Sequence, residues 1–431
     1  MFVSVDLGNS RIMMMAAERQ ADGRLKVLAI EKDDTPVDSI LNGIIKKPSD
    51  VASTLSDMVR KMENQLEIKL GKKYEIKNFY TAINGRSLRS FRDNVQRTYS
   101  ASTEISVVEL NALRSELEEK LSGEVYAVFN EEYIIDGDYV SAPVGVACRE
   151  INANYLIVAG RADVKENIDK CINRVNACSE IYADALAPIA MADAVLTAND
   201  RKEGVLHINF GAATTTVTVY QGGYLRHLAV VPFGGKHITR DLRSLQLSLN
   251  DAELIKEKKG TAVVDNAKER KIKLAAKPGV EERIVNLEEV AKVIEARLSE
   301  ILTLCMTEVE KSGFIGKLNA GIVVSGGTSR LNDFNDYIAN KTEMSVRSGS
   351  LAHHLFDSDT YNQTEYALLV GLLLSATEQS IFEKEKEVVD EPFGPKNSGS
   401  KNKETTKKPG LLERIKQITL FDDPEGATIE D

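Results

Sequence analysis

Two rhythms of apolar and polar positions alternate along this chain. The first is short and strand-like. Phe2–Val5 is an apolar run that opens into Asp6-Leu7-Gly8-Asn9-Ser10. A second run, Ile12–Ala17, follows, then a turn at Ala21-Asp22-Gly23 and a third run near Leu25–Ile30. About 200 residues later the same order returns, and such internal repetition is informative about architecture. Val205–Ile208 opens into Asn209-Phe210-Gly211-Ala212-Ala213-Thr214, Val217–Tyr220 follows, Gln221-Gly222-Gly223 turns the chain, and Tyr224–Val231 completes the set. Two strand–glycine turn–strand units suggest a duplicated domain, although two unrelated hairpins would look alike at this level.

The second rhythm is helical. Leu287, Val290, Ala291, Ile294, Leu298, Ile301, Leu302, Cys305 and Val309 recur at the spacing of one helix face. Asn286 with Glu289 predicts a capping box at its start, and Gly313 predicts its stop. Gly321–Val324 is then a short strand ending in Ser325-Gly326-Gly327-Thr328. Strands interleaved with helices place the chain in the α/β class.

The texture changes near residue 381. Glu383–Gly410 is polar and holds three of the ten prolines. Such a segment cannot bury enough surface to offset its ordering entropy, so 381–408 reads as a disordered linker. Beyond it, Leu411, Leu412, Ile415, Ile418 and Phe421 share one face at roughly 100° per residue, with Arg414 flanking that face and Lys416 on the other. Between Lys401 and Phe421 six basic and two acidic residues give a local charge of +4. That is the make-up of an interfacial membrane helix, predicted over 409–421 and followed by an acidic tail, 422–431. Packing of this helix back onto its own domain is the alternative.

Composition sharpens the contrast. The whole chain carries 55 Lys+Arg against 65 Asp+Glu, a net charge of −10. An acidic body is a poor general nucleic-acid binder, and with no Trp and 6% aromatics no base-stacking platform stands out. The longest apolar run, Ala367–Leu374, is far short of the roughly 20 residues that cross a bilayer. The start at Met1 shows no basic leader, so no secretory signal is expected. Cys148, Cys171, Cys178 and Cys305 have no CxxC spacing and are expected to be reduced core thiols. His353-His354 is not expected to hold a metal.

Three strand ends thus open into small-residue turns: Asp6–Ser10, Gly211–Thr214 and Gly326–Thr328. Small residues let backbone N–H groups approach an anion, and hydroxyls add donors. Two facing hairpin loops can clamp nucleotide phosphates, and the third can take the nucleoside end.

In these motifs the chain resembles the actin-like ATPase superfamily, and within it the FtsA family of bacterial cell-division proteins. Val3–Arg11 resembles the first phosphate loop, placing Asp6, Gly8, Asn9, Ser10 and Arg11 at the nucleotide. Leu41-Asn42-Gly43-Ile44-Ile45 is similar to the family's turn before its first long helix. Asp136-Gly137 and Ala142-Pro143-Val144-Gly145 resemble the exit from its extra subdomain. Gly234 through Asp241 and Ala252 through Lys256 resemble its "GGxxIT.D … AExxK" stretch, where Glu253 and Lys256 would sit near adenosine and Gly234 and Gly235 would also bind the nucleotide. Ser325-Gly326-Gly327-Thr328 resembles the adenosine loop.

The resemblance implies a two-lobed actin-like fold with duplicated ribonuclease-H-like domains closing over ATP and Mg²⁺. It implies a first lobe (1A) from 1–76 and 161–195 and an inserted 1C (SHS2-type) subdomain over 77–160. Asn78–Ile83, Val107–Leu121 and Tyr155–Val158 are compatible with that insert. The second lobe (2A/2B) would run over 196–380, with a return to 1A near 355–380. The family's second phosphate loop reads Asp-x-Gly-Gly-Gly-Thr-x-Asp. Here Asn209, Phe210, Gly211, Ala212, Ala213, Thr214, Thr215 and Thr216 stand instead, and both carboxylates are gone. Asp6 alone remains to hold the metal through water. Slow hydrolysis, or none, is therefore expected, because phosphoryl transfer depends on positioning and charge neutralisation.

As a member of that family the chain would bind ATP and self-associate. It would lie on the cytoplasmic face of the inner membrane at the division site, tether FtsZ filaments to the anionic membrane surface, and recruit later divisome proteins. Two rival readings stay open. One is a PilM-like pilus-assembly adaptor. The other is an active ATPase or sugar kinase of the superfamily.

Overall fold

The computed structural model describes residues 1–76, 78–175, 180–274 and 283–376. The predicted linker, the amphipathic segment with Leu411, Leu412, Arg414, Ile415, Lys416, Ile418 and Phe421, the acidic tail and Cys178 lie outside them.

The repeat read in the sequence is a repeat of sheets. In the first, the spatial order is Glu180–Leu186, Asn78–Ile83, Phe2–Leu7, Arg11–Arg19, Leu25–Asp34. In the second it is Val346–Ser348, Ile322–Ser325, Val205–Phe210, Thr215–Gln221, Tyr224–Val231. Both begin with parallel pairs and end with antiparallel ones. In each, the strand that opens into a glycine loop is flanked by a parallel partner and its own hairpin mate. Ile12 through Ala17 are all buried, as are Thr215 through Tyr220. These strands read as unbroken apolar or β-branched runs because both of their faces are covered.

The segment between the two halves of the first lobe extends the second sheet by four strands. Arg89–Glu104 pairs with Ala147–Gly160, which pairs with Glu124–Ile135, which pairs with Asp138–Val140. Helix Val107–Lys120 sets Leu110, Leu113 and Leu117 against Val95, Val128 and Tyr155, a core separate from the other two. Asn78–Ile83 is a correction to the sequence reading. It lies between Phe2–Leu7 and Glu180–Leu186 in the first sheet, not in this insert. Its Phe79, Ala82 and Ile83 are buried in the first core. The insert joins the second sheet through one pairing, Ala229 with Arg89. Arg92 braces the joint by donating to the Arg226 carbonyl at 2.9 Å, and Arg226 meets Glu132 at 2.7 Å.

The long helix runs Leu287–Ser312 and ends at Gly313 in the left-handed conformation, φ 78°. Its start departs from the predicted capping box: the Asn286 side chain accepts from Glu288 N, the second helical amide, rather than from Glu289. Asparagine's short side chain reaches either amide. Leu351, Leu355 and Tyr366 through Leu373 return to the core of the first lobe. Among the described residues no helix is long and apolar enough to cross a membrane.

Candidate nucleotide site

The second and third small-residue turns meet in space, with Gly234-Gly235 beside them, because glycine lets backbones touch. A Cβ on Gly234 would lie 2.5 Å from the Gly211 carbonyl oxygen, and one on Gly326 would lie 2.5 Å from that of Phe210. Real Cβ atoms do not come so near. Gly235 N donates to Gly211 O at 3.0 Å, Lys236 N to Ala212 O at 2.7 Å, and Thr328 Oγ1 to Gly211 O at 3.0 Å. Gly211 N in turn bonds Thr214 O at 3.0 Å. Thus Gly211–Thr214, Gly234-Gly235 and Gly326–Thr328 form one wall. Gly327 is exposed upon it, while Ala213 and Thr214 are buried.

The first loop is held from behind. Thr35 donates its hydroxyl to Gly8 O at 2.7 Å and its amide to Ser10 O at 3.0 Å. Asn9 points its side chain away from the loop tip: its Nδ2 donates to Ile40 O at 2.9 Å and its Oδ1 accepts from Gly43 N at 2.8 Å. The Leu41–Ile45 turn therefore carries the loop. Asn9 offers the site its backbone, Gly8 and Ser10 are partly exposed, and Arg11 is exposed. Among the described residues no donor reaches the Asp6 carboxylate, and burial pushes its pKa up to about 7.

Lys236 links the two loops. Its backbone is fixed to Ala212, and its ammonium donates to Asn9 O at 2.8 Å. Lys256 is already committed elsewhere: it donates to both Glu253 oxygens and Thr239 Oγ1 at 2.8 Å, and to Gly235 O at 3.2 Å. This pins helix Leu249–Lys259 to helix Gly235–Leu242 and leaves Glu253 partly exposed for further hydrogen bonds.

Behind Asn209 runs a buried polar chain. Ser325 Oγ donates to Asn209 Oδ1 at 3.0 Å, so the serine proton is spent and His207 Nε2–H must donate to Ser325 Oγ, 2.8 Å away. His207 Nδ1 then accepts from Thr218 Oγ1 at 3.3 Å. Burial holds the His207 pKa down at about 3, and the imidazole is neutral. His207, Thr218, Thr35 and Glu365 escaped the sequence reading. Glu365 accepts from Lys32 at 2.7 Å and pairs with Arg330 at 3.3 Å, tying the third loop to the first sheet. None of these four stands in a motif, because their partners are brought to them by the fold.

Comparisons with known proteins agree with this architecture. The family model described as "Cell division protein FtsA" matches residues 206–371. The FtsA of Neisseria meningitidis serogroup B is 29% identical over 388 residues, covering 87% of this chain and 90% of its own. The chain is similar to the FtsA cell-division proteins. FtsA of Pseudomonas aeruginosa aligns over 428 residues at 24% identity, covering 97% of each chain. Among solved structures, the PilM–PilN type IV pilus biogenesis complex superposes with a TM-score of 0.57 at 14% identity, over 87% of this chain and 98% of that one. The fold is actin-like, as the FtsA resemblance implies.

An actin-like site implies a divalent metal. Mg²⁺ takes an octahedron of oxygens, usually one or two carboxylates plus phosphates and water. Here Asp6 is the one carboxylate in the two phosphate loops, and Asn209 offers only a neutral amide oxygen, which also accepts from Ser325. No group of three His, Cys, Asp or Glu able to hold a metal occurs among the described residues. The residues present fit a metal carried by nucleotide phosphates and water with a single protein anchor, and nothing stronger.

Proposed function

We propose that this chain binds ATP between Asp6–Ser10, Gly211–Thr214 and Gly326–Thr328, and uses it as an assembly switch in bacterial cell division. Supporting this reading are FtsA relatives that align over nearly its whole length, the packing of the second loop on the third, and the Lys236 bond from the second loop to Asn9 of the first. Adenosine sits toward Glu253 and Lys256, phosphates lie between Gly8–Arg11 and Gly211–Thr214, and Asp6 would hold Mg²⁺, which would offset charge on the phosphates. Hydrolysis is slow or absent, because the second loop has Asn209 and Thr216 where the family pattern has carboxylates. The observation that carries this point is the neutral Asn209 side chain, whose Oδ1 accepts from Ser325 and brings no negative charge to an attacking water.

The chain self-associates and works on the cytoplasmic face of the inner membrane at the division site. Leu411, Leu412, Ile415, Ile418 and Phe421 enter the interface, with Arg414 and Lys416 at anionic headgroups. One short helix binds reversibly, and a polymer of them binds far better through effective concentration. There it tethers FtsZ and recruits later division proteins.

Reconstitution on anionic vesicles with purified FtsZ tests the whole reading: ATP-dependent recruitment is expected, and failure under all conditions rejects it. Truncation after Lys408 abolishes vesicle binding. A steady-state ATPase rate on the order of 1 per second or more rejects the switch. The pilus-adaptor reading rests on the fold likeness to PilM alone.

A further inference from the structure

Lys236 stands where a substitute for the missing metal site is needed. Its ammonium bridges the cleft at the tip of the first loop, 2.8 Å from Asn9 O, while its own amide is tied to Ala212 of the second loop at 2.7 Å. Whatever anion lies between these loops meets this ammonium.

Lys236 is also without a counterion. It is partly buried, and among the described residues no carboxylate comes within ion-pair distance of it. Burial pulls its pKa below the ordinary lysine value, and Glu253 works in the opposite direction. The neighbouring Lys256, by contrast, is neutralised by Glu253 and aimed at the helix Gly235–Leu242. A desolvated ammonium held only by a backbone carbonyl gains from an anion, since charge-assisted hydrogen bonds are about twice as strong as neutral ones. The second loop has lost the carboxylates that attract Mg²⁺, and Lys236 is a positive charge tied to both loops, where an added negative ligand would lie.

We infer that Lys236 is the principal counter-charge for the nucleotide phosphates, so that nucleotide binding depends on Lys236 and only weakly on Mg²⁺. The inference rests on the nucleotide reading of the site and goes beyond it by moving charge neutralisation from the metal to a side chain. On binding, the ammonium exchanges its Asn9 carbonyl for phosphate oxygens, which couples occupancy to the contact between the two loops.

The test is equilibrium titration of the full chain with ATP, in Mg²⁺ and in EDTA. Wild-type affinity is expected to change by less than about threefold between the two, while Lys236→Met weakens binding by about tenfold or more in EDTA. Lys236→Arg, which keeps the charge and the inter-loop bond, restores most of the affinity. Thermal melts of the unliganded variants check that both are folded. If the wild type loses more than about tenfold affinity in EDTA, or Lys236→Met binds as the wild type does, the inference is overturned and the nucleotide reading stands. If the folded wild type binds no ATP in either buffer, the nucleotide reading itself falls.

Discussion

The hydroxyl of Ser325 donates to the amide oxygen of Asn209 at 3.0 Å, with His207 behind it at 2.8 Å. The serine bond survives if the amide becomes a carboxylate, because both accept. Asn209→Asp therefore restores a charge at the second loop without removing the hydrogen bond. With that charge beside the phosphates, ATP affinity is expected to fall in EDTA and recover in Mg²⁺, a difference of about tenfold or more. Paired titrations measure it. Equal affinities in both buffers would mean that Asn209 does not face the phosphates.

His207 and Asp6 make stability depend on pH in opposite directions. His207 titrates near 6.5 when unfolded and at about 3 when folded. Below pH 6.5 the unfolded chain takes up a proton that the folded chain refuses, so this residue's contribution is lost as pH falls toward 3. Asp6 titrates at 3.8 unfolded and about 7 folded. The folded chain keeps a proton there that the unfolded chain has released, so stability is lost as pH rises from about 4 to about 7. Urea unfolding of wild type, His207→Gln and Asp6→Asn between pH 5 and pH 7 separates the two. Acidification should cost Asp6→Asn more than wild type and His207→Gln less. Parallel profiles for all three would refute both assignments.

Gly371 crosses the chain segment that leads from the first lobe to the second. A Cβ there would lie 1.9 Å from the carbonyl oxygen of Ala190, in helix Ala187–Val195. Backbone, not a flexible side chain, blocks the space. Gly371→Ala must push the two elements apart, and overpacking of this kind costs about 1–3 kcal/mol or more. Chemical unfolding should show that loss, while Gly313→Ala, with open space around its Cβ but φ at 78°, isolates the backbone-strain contribution. An unchanged midpoint for Gly371→Ala would show that these elements separate freely.

Much of this fold was legible in the chain, for definable reasons. The two strand–turn–strand units were readable because Ile12–Ala17 and Thr215–Tyr220 are buried on both faces, which writes a continuous apolar or β-branched signal. The third loop and the Gly234-Gly235 turn were readable because close backbone contact at Gly326 and Gly234 demands glycine. Asn78–Ile83 was misassigned because a strand's sheet is set by its parallel partners Phe2–Leu7 and Glu180–Leu186, which are distant in sequence. Lys236 follows the glycine pair and was visible, but its role needed the position of Asn9 O, 227 residues away. In the chain Thr218–His207–Ser325–Asn209, the members His207 and Thr218 left no trace in the sequence, because a lone histidine in an apolar strand reads as a core residue.

The three described cysteines should be chemically silent in the native protein. Cys148, Cys171 and Cys305 are buried and unpaired. Burial raises the pKa of each thiol, that of Cys171 to about 12 and that of Cys305 higher still. The thiolate is the reactive form, and at pH 8 Cys171 holds on the order of one part in ten thousand of it. Iodoacetamide followed by peptide mapping should therefore leave Cys148, Cys171 and Cys305 unmodified in the folded chain and label all of them in guanidinium. Burial also makes labelling require local opening, so its rate should follow denaturant in the pre-transition range. Rapid labelling of Cys305 in buffer would show that the long helix Leu287–Ser312 does not pack its Cys305 face into the second-lobe core.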